Sequence, residues 1–512
     1  MTHVQAGSIE TMPVARSVVI QTASGPVRGS VADGVHAFKG IPYAAPPFGA
    51  RRLRPPQPVE PWTGVREALT YGSKPPQPAY PPHIAMLLPP ELAGPGEDCL
   101  NLNIWSPELG TAKCPVMVWI PGGMFAYHAM GASPWYDGAR FARDGIVCVT
   151  INYRVGADGF LDLEEAGANR GLLDQVAALE WVRENIAAFG GDPANVTIFG
   201  ESAGAMSVGL LLAMPRAEGL FRRAIAQSGA AHHAIPRATA RRVLHRLAET
   251  LGIEPTREAI AAVPLDRLHA AQVELELDLG ERPDAERWGA EVALSMMPWQ
   301  PVIDGDLIPA RPIDRVAAGA GGNVDLLVGT NTDENRLFLV PVGAIDSTSM
   351  GDFLGVLAGY GLPVETALDA YCAAYPGASS GDLLAALQTD WFWRIPAIRL
   401  ADAHAKGAAA TYMYEFAWRS PQFDGRLGAC HALEIPFVFD TLGKQTERLW
   451  GPEPPERLAR TMHAAWVAFA TSGDCGWPRY DLGHRATMRF DTSSGVVDDP
   501  RRAERALWEG VR

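Results

Sequence analysis

Four short segments of this chain, Val116 to Ile120, Ile146 to Ile151, Val196 to Phe199 and Asp325 to Val328, are hydrophobic in continuous rather than alternating fashion. A strand with one wet face alternates, whereas a strand buried on both faces does not. These runs therefore demand an α/β architecture, with a mostly parallel central sheet and helices on both faces. Between the second and third runs, Leu172, Val176, Leu179, Val182, Ile186 and Phe189 form one apolar helical stripe, which Gly190-Gly191 stops. Strand, crossover helix and strand make a right-handed βαβ unit. Thr411 to Ala417 and the segment around Arg489-Phe490 read as further strands. The stretches 236–299 and 338–405 are helix-rich and carry no catalytic signature. They are expected to be insertions that shape a cap on a single large domain spanning 1–512. The proline-rich segment Lys74 to Pro95 is a long loop, and such loops on α/β enzymes usually border the site.

The third apolar run ends in Gly200-Glu201-Ser202-Ala203-Gly204, and small apolar residues continue from Ala203 to Ala213 before Met214-Pro215. Strand, serine and buried helix in that order make a nucleophile elbow. The glycines let strand and helix approach, the bend lifts the Ser202 hydroxyl out of the sheet, and the helix N-terminus adds positive potential beneath it. A serine hydroxyl needs a base to take its proton, and the base needs an acid to orient it. Gly329 to Glu334 leaves the end of the fourth apolar run, where ligand-facing residues sit in open α/β sheets. Gly428 to Phe437 places His431 in a small-residue turn.

Composition narrows the function. A net charge of −14 and scarce lysine argue against a nucleic-acid partner. No stretch is long and apolar enough to span a bilayer, so no membrane association is expected. Met1 to Thr22 carries Glu10 and lacks a continuous apolar core, so it does not read as a secretory signal. The six cysteines form no CxxC pair and no framework spacing. Cys114 and Cys148 read as inert core thiols, and a reducing compartment, most simply the cytoplasm, is expected. Gly319, Gly321 and Gly322 precede a strand rather than follow one, which rejects a phosphate loop. His232-His233 and His431-x-x-Glu434 lack metal-ligand spacing.

The ordered motifs resemble those of the type-B carboxylesterases, an α/β-hydrolase family that includes bacterial p-nitrobenzyl-esterase-like enzymes and the cholinesterases. The resemblance runs through Gly40 to Ala44, Glu97 to Asn103, Asn152-Tyr153-Arg154, Asn169 to Gln175, the Ser202 elbow, Gln227-Ser228-Gly229, Asp333-Glu334 and His431. It implies Ser202 as nucleophile, His431 as general base and acid, and Glu334 as the carboxylate orienting His431, with Asp333 the fallback. It also implies that Glu201 and Ser228 support these three from behind. Glu97 with Arg52, and Asp174 with Arg154, are implied as structural ion pairs, and Cys99 as unpaired.

By the same resemblance Gly123, Met124 and Ala203 supply the oxyanion-hole N–H groups, each worth about 10²–10³ in rate. The chain departs from the family pattern at Pro121 and Met124. Pro121 lies upstream of the donors and costs them nothing directly. Met124 costs strain only if its position requires positive φ, which the sequence leaves open. No cofactor is implied. The partner is a small-molecule ester, uncharged and moderately hydrophobic given the apolar stretch Ile84 to Leu88. Met86 to Pro90 carries no tryptophan to hold a quaternary ammonium, which argues against a choline ester. An amidase or carbamate hydrolase on the same residues, and a non-catalytic scaffold relative, are the alternatives.

Overall fold

The computed structural model describes residues 16–128, 130–163, 167–445 and 447–511. The N-terminal stretch read above as no secretory signal lies, up to residue 15, outside the described residues. The first strands are β1 (Arg16–Gln21), β2 (Pro26–Ala32), β3 (Val35–Pro42), β4 (Arg66–Glu67) and β5 (Asn101–Ser106). Next come β6 (Cys114–Ile120), β7 (Val147–Ile151), β8 (Gly191–Glu201) and β9 (Arg223–Gln227). After the small pair β10 (Ile235–Pro236) and β11 (Val302–Ile303) follow β12 (Asp325–Asn331), β13 (Thr411–Phe416), β14 (Ala486–Phe490) and β15 (Gly495–Asp498).

The main sheet has the order β1-β2-β3-β5-β7-β6-β8-β9-β12-β13-β14-β15, with β4 beside β2. From β7 to β14 every neighbour pair is parallel. The four apolar runs all lie in this block. Along β1-β2-β3-β5-β7 neighbouring strands are antiparallel, as are β14 and β15, while the short β4 runs parallel to β2. Much of that flank is only partly buried: β1 is mostly exposed, and β2 and β3 mix buried with half-exposed positions, β3 across a bulge between Phe38 and Ile41. β7 and β8, which the crossover helix connects, lie parallel in the same sheet with β6 between them.

Burial on both sheet faces is direct. Val116, Val118, Ile120, Val147, Val149, Val196, Ile198, Leu326 and Val328 belong to one hydrophobic cluster. Their chain neighbours Met117, Trp119, Cys148, Phe199 and Leu327 belong to another. The first face is covered by the Arg170–Asn185 and Ala203–Ala213 helices, the second by Ile435–Phe439 and Glu456–Ser472. The Arg170–Asn185 helix runs on into a single tight turn, Ile186–Phe189, and stops at Gly190, whose φ of 82° suits glycine.

Within 236–299 the chain forms the Arg237–Leu251, Arg257–Ala262, Leu265–Glu281, Ala285–Trp288 and Ala290–Ser295 helices. Within 338–405, Met350–Gly359 and Val364–Ala374 precede a long helix from Ser380 to His404. The end of that helix places Leu400 and Ala401 against the sheet. Asp174 receives Arg154 Nη2 at 2.7 Å, and both side chains are buried. Arg52 does not pair with Glu97, contrary to expectation. Its buried guanidinium meets buried Asp158 at 3.2 Å, while Glu97 stays exposed. A buried cation needs a carboxylate that is also out of water, and Glu97 is in it. Among the described residues no helix is long and apolar enough to cross a membrane.

Candidate active site

Ser202 sits where β8 ends and the Ala203–Ala213 helix begins, with φ 57° and ψ −124°. Side chains rarely tolerate that conformation, so the surroundings must impose it. The Ser202 N–H donates to the Gln227 carbonyl at 2.9 Å, and its own carbonyl accepts from Met206 N at 2.8 Å. Gly204 makes the turn possible. A Cβ there would lie 2.0 Å from the Ile120 carbonyl oxygen at the end of β6, so only glycine allows this approach.

The loop after β6 carries Gly123 at φ 114° and Met124 at φ 56°. The open question about Met124 is thereby answered: the position does take positive φ, at a cost on the order of 1–2 kcal/mol for a non-glycine residue. Among the described residues, the N–H groups of Gly123 and Met124 donate to no backbone carbonyl. Ala203, the first residue of its helix, has no intrahelical acceptor. Gly123 and Met124 line the same cavity as Ser202, and Ala203 follows it in the chain, so among the described residues three N–H groups without a backbone acceptor belong to the cavity wall and the elbow. Met124 also lines the cavity in front of Ser202. Met124→Gly should relieve strain and widen that cavity, raising kcat/KM for bulky esters relative to small ones by about 10-fold. An unchanged ratio across a series of p-nitrophenyl esters would refute this.

Glu334 lies just past β12 and His431 in the turns after β13, neighbouring strands of the sheet. His431 Nδ1 and Glu334 Oε2 are 2.7 Å apart. The other Glu334 oxygen accepts the Asn331 N–H at 2.7 Å, and its carbonyl accepts the His431 N–H at 3.2 Å. Asp333 is turned elsewhere, toward Arg419 at 3.0 Å and the Ala429 N–H at 3.0 Å. His431 Nε2 lies 3.0 Å from Glu201 Oε1. Ser202 and His431 face the same cavity, yet among the described residues no hydrogen bond joins the hydroxyl to the imidazole. The relay is assembled between Glu334 and His431 and open between His431 and Ser202. Contacts of this kind commonly tighten only with substrate bound.

The imidazole packs on Trp393, 4.3 Å between ring centroids, and near Phe338. Trp393 belongs to a π-helical turn, Asp390–Arg394, inside the Ser380–His404 helix; such turns recur at functional sites. Burial alone would push the His431 pKa down. Glu201, Glu334 and Glu434 outweigh it and hold the imidazole up at about 9. Burial pushes the Glu201 carboxyl well above its ordinary range, against the pull of His431. A general base must be neutral, so activity should rise with pH through the His431 titration. Glu201→Gln removes one of the three carboxylates that raise it. The acid limb of the kcat/KM profile should then move to lower pH by on the order of one unit. A limb that stays put or moves up would exclude this account.

Two supporting residues fare differently. Glu201 touches the imidazole as described. Ser228 is fully buried, but its hydroxyl finds no partner among the described residues. The sequence reading missed Glu434 as part of the site. It is fully buried and accepts from Gln227 Nε2 at 3.1 Å and Asn331 Nδ2 at 2.7 Å, adding negative potential beside Glu334. Its spacing from His431, one turn along the chain, was the available signal.

In front of these groups opens a cavity of about 240 Å³, lined by Tyr80, Ile84, Leu88, Trp135, Met297 and Leu337 among others. Ile84 and Leu88 come from the proline-rich segment, which folds one helical turn, Pro82–Ala85, against the site. Among the described residues no group of three or more His, Cys, Asp or Glu side chains could hold a metal ion.

Residues 16–508 match the model of the carboxylesterase family. The chain belongs to that family. It is 39% identical over 504 residues to para-nitrobenzyl esterase of Bacillus subtilis, covering 95% of this chain and 97% of that protein. Phenmedipham hydrolase of Pseudarthrobacter oxydans is 35% identical over 502 residues, 95% of this chain and 96% of the relative. The crystal structure of the Geobacillus stearothermophilus carboxylesterase at pH 6.2 superposes with a TM-score of 0.82 at 39% identity, covering 96% of this chain and 99% of that one. As a carboxylesterase the chain is an enzyme of the α/β-hydrolase fold that hydrolyses carboxylic esters.

Proposed function

We propose that this carboxylesterase cleaves uncharged, moderately hydrophobic esters through an acyl-enzyme on Ser202. The observation that carries the reading is the strained, buried serine lining a largely apolar cavity, which is also lined by an imidazole held 2.7 Å from a buried carboxylate. Substrate draws His431 from Glu201 toward the hydroxyl. Ser202 Oγ then attacks the ester carbonyl while His431 Nε2 takes its proton and Glu334 stabilises the imidazolium. The N–H groups of Gly123, Met124 and Ala203 receive the oxyanion. Collapse expels the alcohol, protonated by His431. Water enters under the same base and releases the carboxylic acid.

Residues 236–299 act as a cap, since Glu276 and Met296 to Trp299 wall the cavity; of 338–405 only Phe338 reaches it, next to Leu337. All six cysteines are unpaired, which fits a reducing cytoplasm. Turnover of p-nitrophenyl acetate and butyrate, with Ser202→Ala as control, tests the mechanism. A panel of esters, amides and carbamates tests the substrate class. Amides or carbamates turned over faster than esters of the same acyl group would displace the reading.

A further inference from the structure

One side of the substrate cavity is not apolar. Glu276, from the Leu265–Glu281 helix, lines it. One carboxylate oxygen accepts the Tyr127 hydroxyl, and the other accepts the Trp299 indole N–H at 2.9 Å. Both donors are neutral, and none of the groups acting on Glu276 is a cation. Burial holds its carboxyl above the ordinary range, as expected for a charge left uncompensated. A carboxylate offers about four acceptor positions, of which these two donors use about half.

Two aromatic rings meet this carboxylate by their polar edges, Tyr127 through its hydroxyl and Trp299 through its indole N–H. Tyr80 stacks on Tyr127 with ring centroids 4.9 Å apart, and both rings line the cavity together with Trp299. A half-buried anion with spare acceptor sites, in a cavity lined by aromatic rings, attracts a substituted ammonium by charge, and a ring face that the ammonium meets in that cavity adds its quadrupole. One carboxylate with an indole and a phenol offers too few oxygens for a hard metal ion. The aromatic faces come from Tyr80, Tyr127 and Trp299, not from Met86 to Pro90, which lacks tryptophan.

We propose that Glu276, with Tyr80, Tyr127 and Trp299, forms a subsite for an alkylammonium group that the ester carries away from its scissile carbonyl. This rests on the ester-hydrolase reading above and extends its substrates from uncharged esters to those bearing one basic nitrogen. The apolar remainder of the cavity takes the rest of the molecule.

Isosteric pairs test it on either side of the ester bond. On the alcohol side, dimethylaminopropyl butyrate is compared with methylpentyl butyrate. On the acyl side, ethyl dimethylaminobutanoate is compared with ethyl methylhexanoate. In at least one pair the wild-type enzyme should favour the amine in kcat/KM at neutral pH, and Glu276→Gln should reduce that preference on the order of tenfold. If both members of each pair fall equally in the variant, Glu276 is only a strut between helix, Tyr127 and Trp299, and the proposal fails. Should the variant not fold, the wild-type enzyme decides alone. Butyltrimethylammonium must then inhibit neutral-ester hydrolysis competitively and more strongly than butanol, and equal or weaker inhibition overturns the subsite. No turnover of any neutral ester would instead sink the ester-hydrolase mechanism itself.

Discussion

Ser202→Ala should lower kcat on neutral esters by on the order of 10⁴–10⁶-fold, with KM changed little. The hydroxyl is the only nucleophile at the elbow, and the neighbouring donors can bind an oxyanion but cannot attack a carbonyl. Whatever turnover survives would come from the Gly123, Met124 and Ala203 N–H groups and from binding in the cavity. The backbone offers an independent check. Ser202 is held at φ 57° and ψ −124°, a conformation that costs a non-glycine residue on the order of 1–3 kcal/mol. Ser202→Gly should therefore be as inactive as the alanine variant and yet unfold at higher denaturant concentration. Burst kinetics and a urea titration on the same preparations read both effects. A glycine variant that is inactive and less stable would show that the elbow stores no strain. An alanine variant with near-normal turnover would remove Ser202 from the mechanism.

Asp174→Ala should destabilise the fold by about 3–5 kcal/mol, the loss expected when one half of a buried ion pair is removed. Asp174 accepts from the Arg154 backbone N–H at 3.0 Å, from Nε at 2.8 Å and from Nη2 at 2.7 Å. Both side chains are buried to within about one per cent of complete exclusion from water. Without the carboxylate, the one hydrogen bond that the guanidinium keeps among the described residues is to the Arg54 carbonyl, 2.6 Å from Nη1. The pair pins the Arg170–Asn185 helix beneath the loop that leaves β7, so its loss loosens the cover over one face of the sheet. Replacing both residues together by Met and Leu should recover part of the stability, because no charge is then stranded. Equilibrium unfolding in urea compares the three proteins. A double variant weaker than the single one would mean that the pair contributes more attraction than its desolvation costs.

The legible parts of this protein were those governed by chain neighbours. The elbow could be read because glycine, serine and glycine at that spacing between an apolar strand and a small-residue helix admit few conformations. Gly204 lies too near the Ile120 carbonyl for any larger residue. The parallel strands β6, β7, β8 and β12 could be read because strands buried on both faces run apolar, whereas β9, ended by Arg223 and Gln227, escaped that reading. The flank strands β1 to β3 could not, since partly exposed strands with a bulge resemble loops in a linear reading, and buried β5 carries Asn101, Asn103 and Ser106 among its apolar residues. Glu334 was chosen over Asp333 by resemblance alone. Only the fold shows why: the second carboxylate is drawn off by Arg419 and the Ala429 N–H.

Local chemistry in the chain settles where this enzyme bends, which segments must be buried and which serine sits on the sharp turn between strand and helix, because short-range sterics and hydrophobicity act between adjacent residues. Tertiary packing settles the partners. Arg52 turns to Asp158 instead of Glu97, His431 rests between Glu334 and Glu201, and Glu276 meets Tyr127 and Trp299 across the cavity. Which charge faces which depends on the depth of burial each side chain reaches, and that depth exists only after distant segments have packed together.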